Sequence, residues 1–303
     1  MTVTLERPKA STTPVHRPAG KVDRHGMPVG EHAVGLMAHG VLILWTAIVL
    51  APMVWTLLSS FKTSGEIFRS PFALAAEPQW ENYRNAWVVA GLGRSFGNTA
   101  IVVGGALLLV MVLGAMCSYI LARFNFVGRR AIYYLMLAGL TFPAFLAIVP
   151  LFFVLRNLGL LNTLSGLTLT YVAFALPFTV FFLYAFFRSL PYEISEAAAI
   201  DGADDWQTFF MIMLPMARPG LASVAIFNFL GLWNQYLIPI AINTNPDNYV
   251  LSQRMASFVT QAGYRTDFGA MFAGVVITVV PVLIIYVIFQ RQLQESVTSG
   301  GLK

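Results

Sequence analysis

The chain has 303 residues, 57% of them hydrophobic and only 11% charged, with a mean hydropathy of +0.69. A soluble domain of this size carries about 25% charged residues, so lipid rather than water must surround most of the surface. The net charge of +5 does not point to nucleic acid, because the basic residues sit in short connections and an N-terminal arm rather than on one phosphate-binding face.

The first element, residues 1–33, places Arg7, Lys9, Arg17, Lys21 and Arg24 among Pro, Thr and Gly. It lacks the run of about 7 to 15 apolar residues that a secretory signal needs, and reads as a disordered basic arm held in the cytoplasm. Six apolar segments follow, at Leu36–Leu58, Phe96–Ala122, Ala131–Leu155, Ser165–Phe187, Pro219–Ile242 and Ala270–Phe289. Each approaches or exceeds the roughly 20 residues that cross a bilayer as a helix, and helices satisfy their own backbone where no water reaches. Cys117, alone of its kind, lies in the second segment and reads as packing.

Orientation follows from Lys and Arg. Both termini inside puts the five arm residues, Arg123, Arg129, Arg130, Arg188, Arg218, Arg291 and Lys303 in the cytoplasm. Lys62, Arg69, Arg84, Arg94, Arg156, Arg254 and Arg265 then lie outside. Prolines 52, 143, 150, 177, 239 and 281 punctuate the spans; each removes a backbone donor and kinks or breaks a helix.

No Asp, Glu, Lys, Arg or His lies inside the last five segments, and all four histidines precede or open the first. The chain therefore lacks the buried charges of a proton-coupled carrier, a histidine cluster for a membrane metalloenzyme, and a base beside any buried serine. No G-x-x-x-x-G-K-[ST] loop occurs either. No metal or cofactor is expected on this chain, no catalysis, and the energy source must be another subunit.

The long polar stretch on the inside, 189–219, divides into a short helix, a bend and a second helix. Pro191 suits a first turn, Glu193 and Glu196 lie near the positive end of the dipole, and Ala197, Ala198 and Ala199 favour helix. Asp201-Gly202 ends it, with Gly202 free to take a left-handed C-cap. Asp204 and Asp205 open the second helix, where Trp206, Phe209, Phe210, Met213 and Met216 recur at helical spacing until Pro215 and Pro219 turn the chain back. Such an amphipathic helix either lies on lipid or docks a soluble partner.

Glu196-Ala197-Ala198, then Asp201-Gly202-Ala203, Phe209, Ile212, Leu214-Pro215 and Pro219 resemble the EAA loop of binding-protein-dependent ATP-binding-cassette (ABC) importer permeases. The resemblance extends along the chain to the sugar branch, permeases like the smaller membrane subunit of the maltose importer. It is carried by Ser60-Phe61-Lys62 with Glu66-Ile67-Phe68 and Glu81-Asn82-Tyr83, by Ala122-Arg123-Phe124 with Gly128-Arg129-Arg130, and by Trp233-Asn234 with Pro239. The tail Val297-Thr298-Ser299-Gly300-Gly301-Leu302-Lys303 is similar too, with Gly-Leu-Lys in place of the usual Ala-Val-Lys.

The resemblance implies an all-α membrane protein with six transmembrane helices (34–290), a cytoplasmic coupling helix, and a cytoplasmic tail (291–303) reaching an ATPase. It implies a bacterial plasma membrane location and four kinds of partner: a second homologous permease, two ATP-binding subunits holding ATP and Mg, an extracytoplasmic sugar-binding lipoprotein, and a sugar or oligosaccharide cargo. Glu196 would make a polar contact in the ATPase cleft and Gly202 the sharp bend. The outside loop 243–269, with Asn243, Asn245, Asp247, Asn248 and Tyr249, would probe the binding protein. In the fifth segment, Asn228, Trp233, Asn234, Gln235 and Tyr236 either contact sugar or join helices to one another. The rival expectation is an autonomous channel or secondary carrier for an uncharged polar solute.

Overall fold

The computed structural model describes the backbone of residues 29–261 and 267–300, and the side chains of 34–260 and 267–290. The arm before residue 29, the part of the outside loop at 262–266 and the last residues of the tail, 301–303, lie outside the described residues. All regular structure among the described residues is helical. In chain order it comprises α1 (Val29–Ser59), α2 (Ser64–Arg69), α3 (Glu81–Arg84), α4 (Leu92–Arg123), α5 (Arg129–Thr141), α6 (Ala144–Asn157) and α7 (Leu164–Ser189). Then come α8 (Glu193–Ile200), α9 (Asp205–Met216), α10 (Arg218–Trp233), α11 (Leu237–Ile242), α12 (Leu251–Gln261) and α13 (Phe268–Gly300).

The chain forms two compact units that divide after Trp55. The first contains most of α1, which is apolar and exposed from Leu36 to Val54. An apolar helix with no buried face is a lipid-facing one. Its few polar side chains turn back on their own backbone, Thr46 Oγ1 donating to the Leu42 carbonyl at 2.7 Å.

The second unit is built on the pairing of α4 with α7. Small residues allow the approach: a Cβ on Gly114 would lie 2.4 Å from Thr179 Cγ2, the close-packing device of membrane helices. Around this pair lies one core that joins Val102, Ala106, Val110, Leu167, Tyr171, Trp233 and Leu251. A second, at the other end of the bundle, joins Tyr119, Leu183, Phe187, Phe209 and Met213.

Four helices are long and apolar enough to cross a membrane, or six when bent pairs count as single spans. The third segment, expected to be continuous over 131–155, is instead two helices bent by 98°. Pro143 is the cause: it cannot donate, and it forces Phe142 into an extended conformation (φ −74°, ψ 124°). The fifth segment, expected over 219–242, breaks at Asn234–Tyr236 between α10 and α11. Pro239 leaves the carbonyl four residues earlier, on Gln235, without its helical donor; Ser252 Oγ on α12 supplies one at 2.7 Å. At 16 residues α10 spans about 24 Å, short of a hydrocarbon core of about 30 Å, and α11 makes up the length.

Candidate functional site

The segment 189–219, expected to be the coupling element, occupies the end of the bundle where α4 and α7 finish. Pro191 lies just before α8 rather than in its first turn, and Tyr192 takes the N-cap position. The C-terminal end of α8 is a full Schellman motif: Gly202 N–H donates to the Ala199 carbonyl at 3.1 Å and Ala203 N–H to that of Ala198 at 2.9 Å. Gly202 has φ +83°, and an added Cβ would meet no atom of this chain within 4 Å. A side chain there is opposed from within by backbone strain alone. Asp204 then caps α9 with a reciprocal capping box, its Oδ1 accepting from Gln207 N–H at 2.7 Å while Gln207 Oε1 accepts from Asp204 N–H at 3.0 Å.

Inside α9 the turn Thr208–Met213 widens to a π-helix, with Leu214 N–H reaching the Phe209 carbonyl. The wider turn lets the helix continue through Pro215, so the chain turns not there but at Ala217, where α9 and α10 meet at 73°. The π turn also splits the aromatic series. Phe209 and Met213 are buried, whereas Trp206 and Phe210 stack on each other (5.8 Å between rings) on the exposed side.

Glu196, Ala197, Asp201 and Gly202 form an exposed ridge, while Ala198 is buried and Ala203, Leu214 and Pro215 are half-buried. Glu196 has no hydrogen-bond or ion-pair partner among the described residues. Beneath the ridge, Phe209 is gripped by Tyr119 of α4 (4.9 Å) and Phe187 of α7 (6.5 Å). Arg123, at the end of α4, donates from Nη2 to the Leu190 carbonyl at 2.8 Å and lies over the Tyr192 ring. Tyr119 and Arg123 thus bind the coupling element to the bundle. In the sequence Arg123 stood out as an inside charge and within the Ala122-Arg123-Phe124 junction, and Tyr119 did not stand out; a tyrosine near the end of an apolar segment was the available signal.

At the opposite end, the five polar residues of the fifth segment do not converge. Asn228 is buried and donates to Thr179 Oγ1 of α7 at 2.7 Å. Trp233 is buried against Phe229 and Phe96, its Nε1 donating to the Thr278 carbonyl of α13 at 3.2 Å. Both therefore join helices. Asn234 Nδ2 caps its own helix at the Leu230 carbonyl (2.8 Å), and the Gln235 carbonyl accepts from Ser252.

Gln235 and Tyr236 both meet the loop 243–269. With Asn243, Thr244, Tyr249, Gln253, Ser257 and Thr260, Tyr236 lines a groove of about 380 Å³ that contains no charged side chain among the described residues. The loop tip exposes Asn245 and Asp247, the latter paired with Arg94 at 2.7 Å. Asn248 turns inward to the Asn162 carbonyl (2.7 Å). Among the described residues no group of His, Cys, Asp or Glu could hold a metal ion.

Comparison with known proteins agrees with this geometry. The description of binding-protein-dependent transport system inner membrane components matches residues 111–299. A diacetylchitobiose uptake system permease protein of Streptomyces coelicolor is 62% identical over 88% of this chain and 88% of its own. A trehalose transport system permease protein of Mycobacterium tuberculosis is 31% identical over 84% of this chain and 92% of its own. In fold, the crystal structure of a bacterial ABC transporter for the acidic polysaccharide alginate superposes with a TM-score of 0.75, covering 88% of this chain and 98% of that one at 20% identity. With a family match across more than half its length and a relative this similar, the chain belongs to the binding-protein-dependent transport system inner membrane components.

Proposed function

We propose that this chain is one of two permease subunits of an ABC importer for a small oligosaccharide, with the exposed ridge of α8 seated in an ATPase subunit. The observation that carries the reading is that ridge: an acidic side chain without a partner and a left-handed glycine with free space around it, standing on a rigidly capped element. The bend between α8 and α9 is completed by its own backbone hydrogen bonds, and the ridge above it is open toward a second protein.

The cargo follows from the neutral groove and from the permease of Streptomyces coelicolor, whose own cargo is diacetylchitobiose. An uncharged groove lined by tyrosines, amides and hydroxyls suits a neutral sugar. Delivery would fall to an extracytoplasmic binding protein touching Asn245 and Asp247 at the loop tip. The basic arm and both termini would lie in the cytoplasm, with ATP and Mg held by two partner ATPases and the tail at 291–303 beside them.

The mechanism needs no chemistry from this chain. Closure of the ATPases on nucleotide would push the ridge, and α8 and α9 would move as one because both capping motifs are complete. Phe209 and Met213 pass that motion to α4 and α7 through Tyr119, Phe187 and Leu183, tilting the central pair between its two access states.

The test is purification from the native membrane in mild detergent, with mass spectrometry of what accompanies the chain, for wild type and Gly202→Arg. A second six-span permease and an ATPase should accompany the wild type. The variant should keep its fold, since only the φ strain of roughly 1–2 kcal/mol opposes it from within, and should lose ATP-coupled uptake. A chain that purifies alone, or a variant with wild-type uptake, would overturn the reading in favour of a channel or carrier.

A further inference from the structure

At the end of the bundle that carries α8 and α9, the start of α5 and the last turns of α7 enclose a groove of about 720 Å³ that the coupling element does not use. Asn125, Arg129, Arg130, Tyr133, Tyr184 and Arg188 line it, and among the described residues no carboxylate does. Its walls are organised. The rings of Tyr133 and Tyr184 meet at 4.7 Å between the two helices, the Arg188 guanidinium lies 5.8 Å above the Tyr184 ring, and Arg129 Nη1 donates to the Asn125 side-chain oxygen. None of the three arginines pairs with a carboxylate among the described residues.

Three guanidiniums around one groove repel each other, and an anion placed among them removes that repulsion. Their planar donor forks match the oxygens of a phosphate group. The site also lies where two apolar helices end, the depth at which tyrosine and arginine meet lipid headgroups. The first turns of α5 expose Ile132 and Leu135 as well (37% and 65%), an apolar flank that a soluble anion would leave bare and an acyl chain would cover.

We propose that this groove binds the phosphodiester headgroup of an anionic glycerophospholipid from the leaflet at this end of the bundle, with its acyl chains along the exposed side of α5. Basic pockets between membrane helices bind such headgroups by this chemistry. The lipid would tie α5 to α7 beside the coupling element, without taking part in coupling itself. Nothing in the proposal depends on the cargo.

The experiment is native mass spectrometry of the full permease complex in detergent, titrated with phosphatidylglycerol or phosphatidylcholine. The variants are Arg129→Gln/Arg130→Gln/Arg188→Gln, the same three positions changed to Lys, and a control of equal charge loss at the far end, Arg69→Gln/Arg84→Gln/Arg156→Gln. Wild type and control should retain phosphatidylglycerol roughly tenfold or more better than the groove variant, and the lysine variant should keep most of the binding. Equal weakening in groove variant and control would mean that net charge alone attracts the lipid, and the proposal falls. Displacement of phosphatidylglycerol by glycerol 3-phosphate would mean a site for soluble phosphate and overturn it too. Should the groove variant fail to assemble, the wild type alone decides: equal retention of the two lipids refutes the proposal, and a preference for phosphatidylglycerol that withstands glycerol 3-phosphate supports it.

Discussion

The two ends of the bundle manage their polar groups in opposite ways. At the end away from α8 and α9, most buried polar groups find partners within the chain, Ser59 Oγ and Asn243 Oδ1 being the exceptions among the described residues. Gln253 is 4% exposed and donates to the Pro239 and Asn243 carbonyls (3.0 and 2.7 Å) while accepting from Asn243 Nδ2 and Val250 N–H. Asn82 donates to the Ser60 and Lys62 carbonyls, both at 2.9 Å, and the buried Lys62 ammonium donates to those of Ser70 and Pro71. At the end that carries α8 and α9, these helices rest on the bundle through Phe209 and Met213, Arg123 holds the Leu190 carbonyl just before α8, and a weak Ser195–Met213 contact joins α8 to α9. Among the described residues, the side chains of Glu196 and Asp201 on the exposed ridge have no hydrogen-bond or ion-pair partner. One end is largely completed from within, and the other presents an unpaired ridge.

The comparison can be broken most severely at Gln253. Gln253→Leu leaves the Asn243 carbonyl and the Val250 N–H unpaired, at about 1–3 kcal/mol each, while the Pro239 carbonyl keeps the Asn243 N–H; a loss of roughly 2 kcal/mol or more is expected, read as a fall in melting temperature in detergent. A change within about 0.5 kcal/mol would show that this network is ornamental. Asn228→Leu should cost less, about 1 kcal/mol, as hydrogen bonds between membrane helices do, with uptake kinetics kept; a changed KM for sugar would return Asn228 to the cargo pathway. Glu196→Gln sharpens the contrast from the other end. Its melting temperature should match the wild type, because no bond within the chain is lost, while the ratio of sugar imported to ATP hydrolysed falls. Unchanged coupling would remove Glu196 from the ATPase contact.

The smallest expected effect concerns acid. The Glu66 carboxyl at the start of α2 is held below the ordinary carboxylate value by Thr63 N–H first, then by the Thr63 hydroxyl and Ala76 N–H. A lowered folded value means that its contribution is complete above the unfolded value and lost as pH falls through the folded one. The protection factor of the α2 amides, exchange rate corrected for its intrinsic pH dependence, should therefore stay constant from neutral pH to about 5 and fall only in stronger acid. Glu66→Gln should abolish that acid step; a step that survives it belongs to another group.

The sequence alone determined what local chemistry decides. Apolar length set the helices, and the Ala-rich run, Asp201-Gly202 and Asp204 set the coupling element with both its caps, because a cap involves residues no more than about five apart. Proline marked where the third and fifth segments would yield, but not by how much: the 98° bend and the separation of α10 from α11 depend on what receives the freed backbone. For the Gln235 carbonyl that receiver is Ser252, seventeen residues on. The polar residues of the fifth segment were legible as a set but not in their roles. Asn228 finds its partner in Thr179, 49 residues away, and Trp233 in Thr278, 45 away. An amide or an indole satisfies its hydrogen bond with whatever the packing brings within about 3 Å, and only the tertiary structure chooses that neighbour.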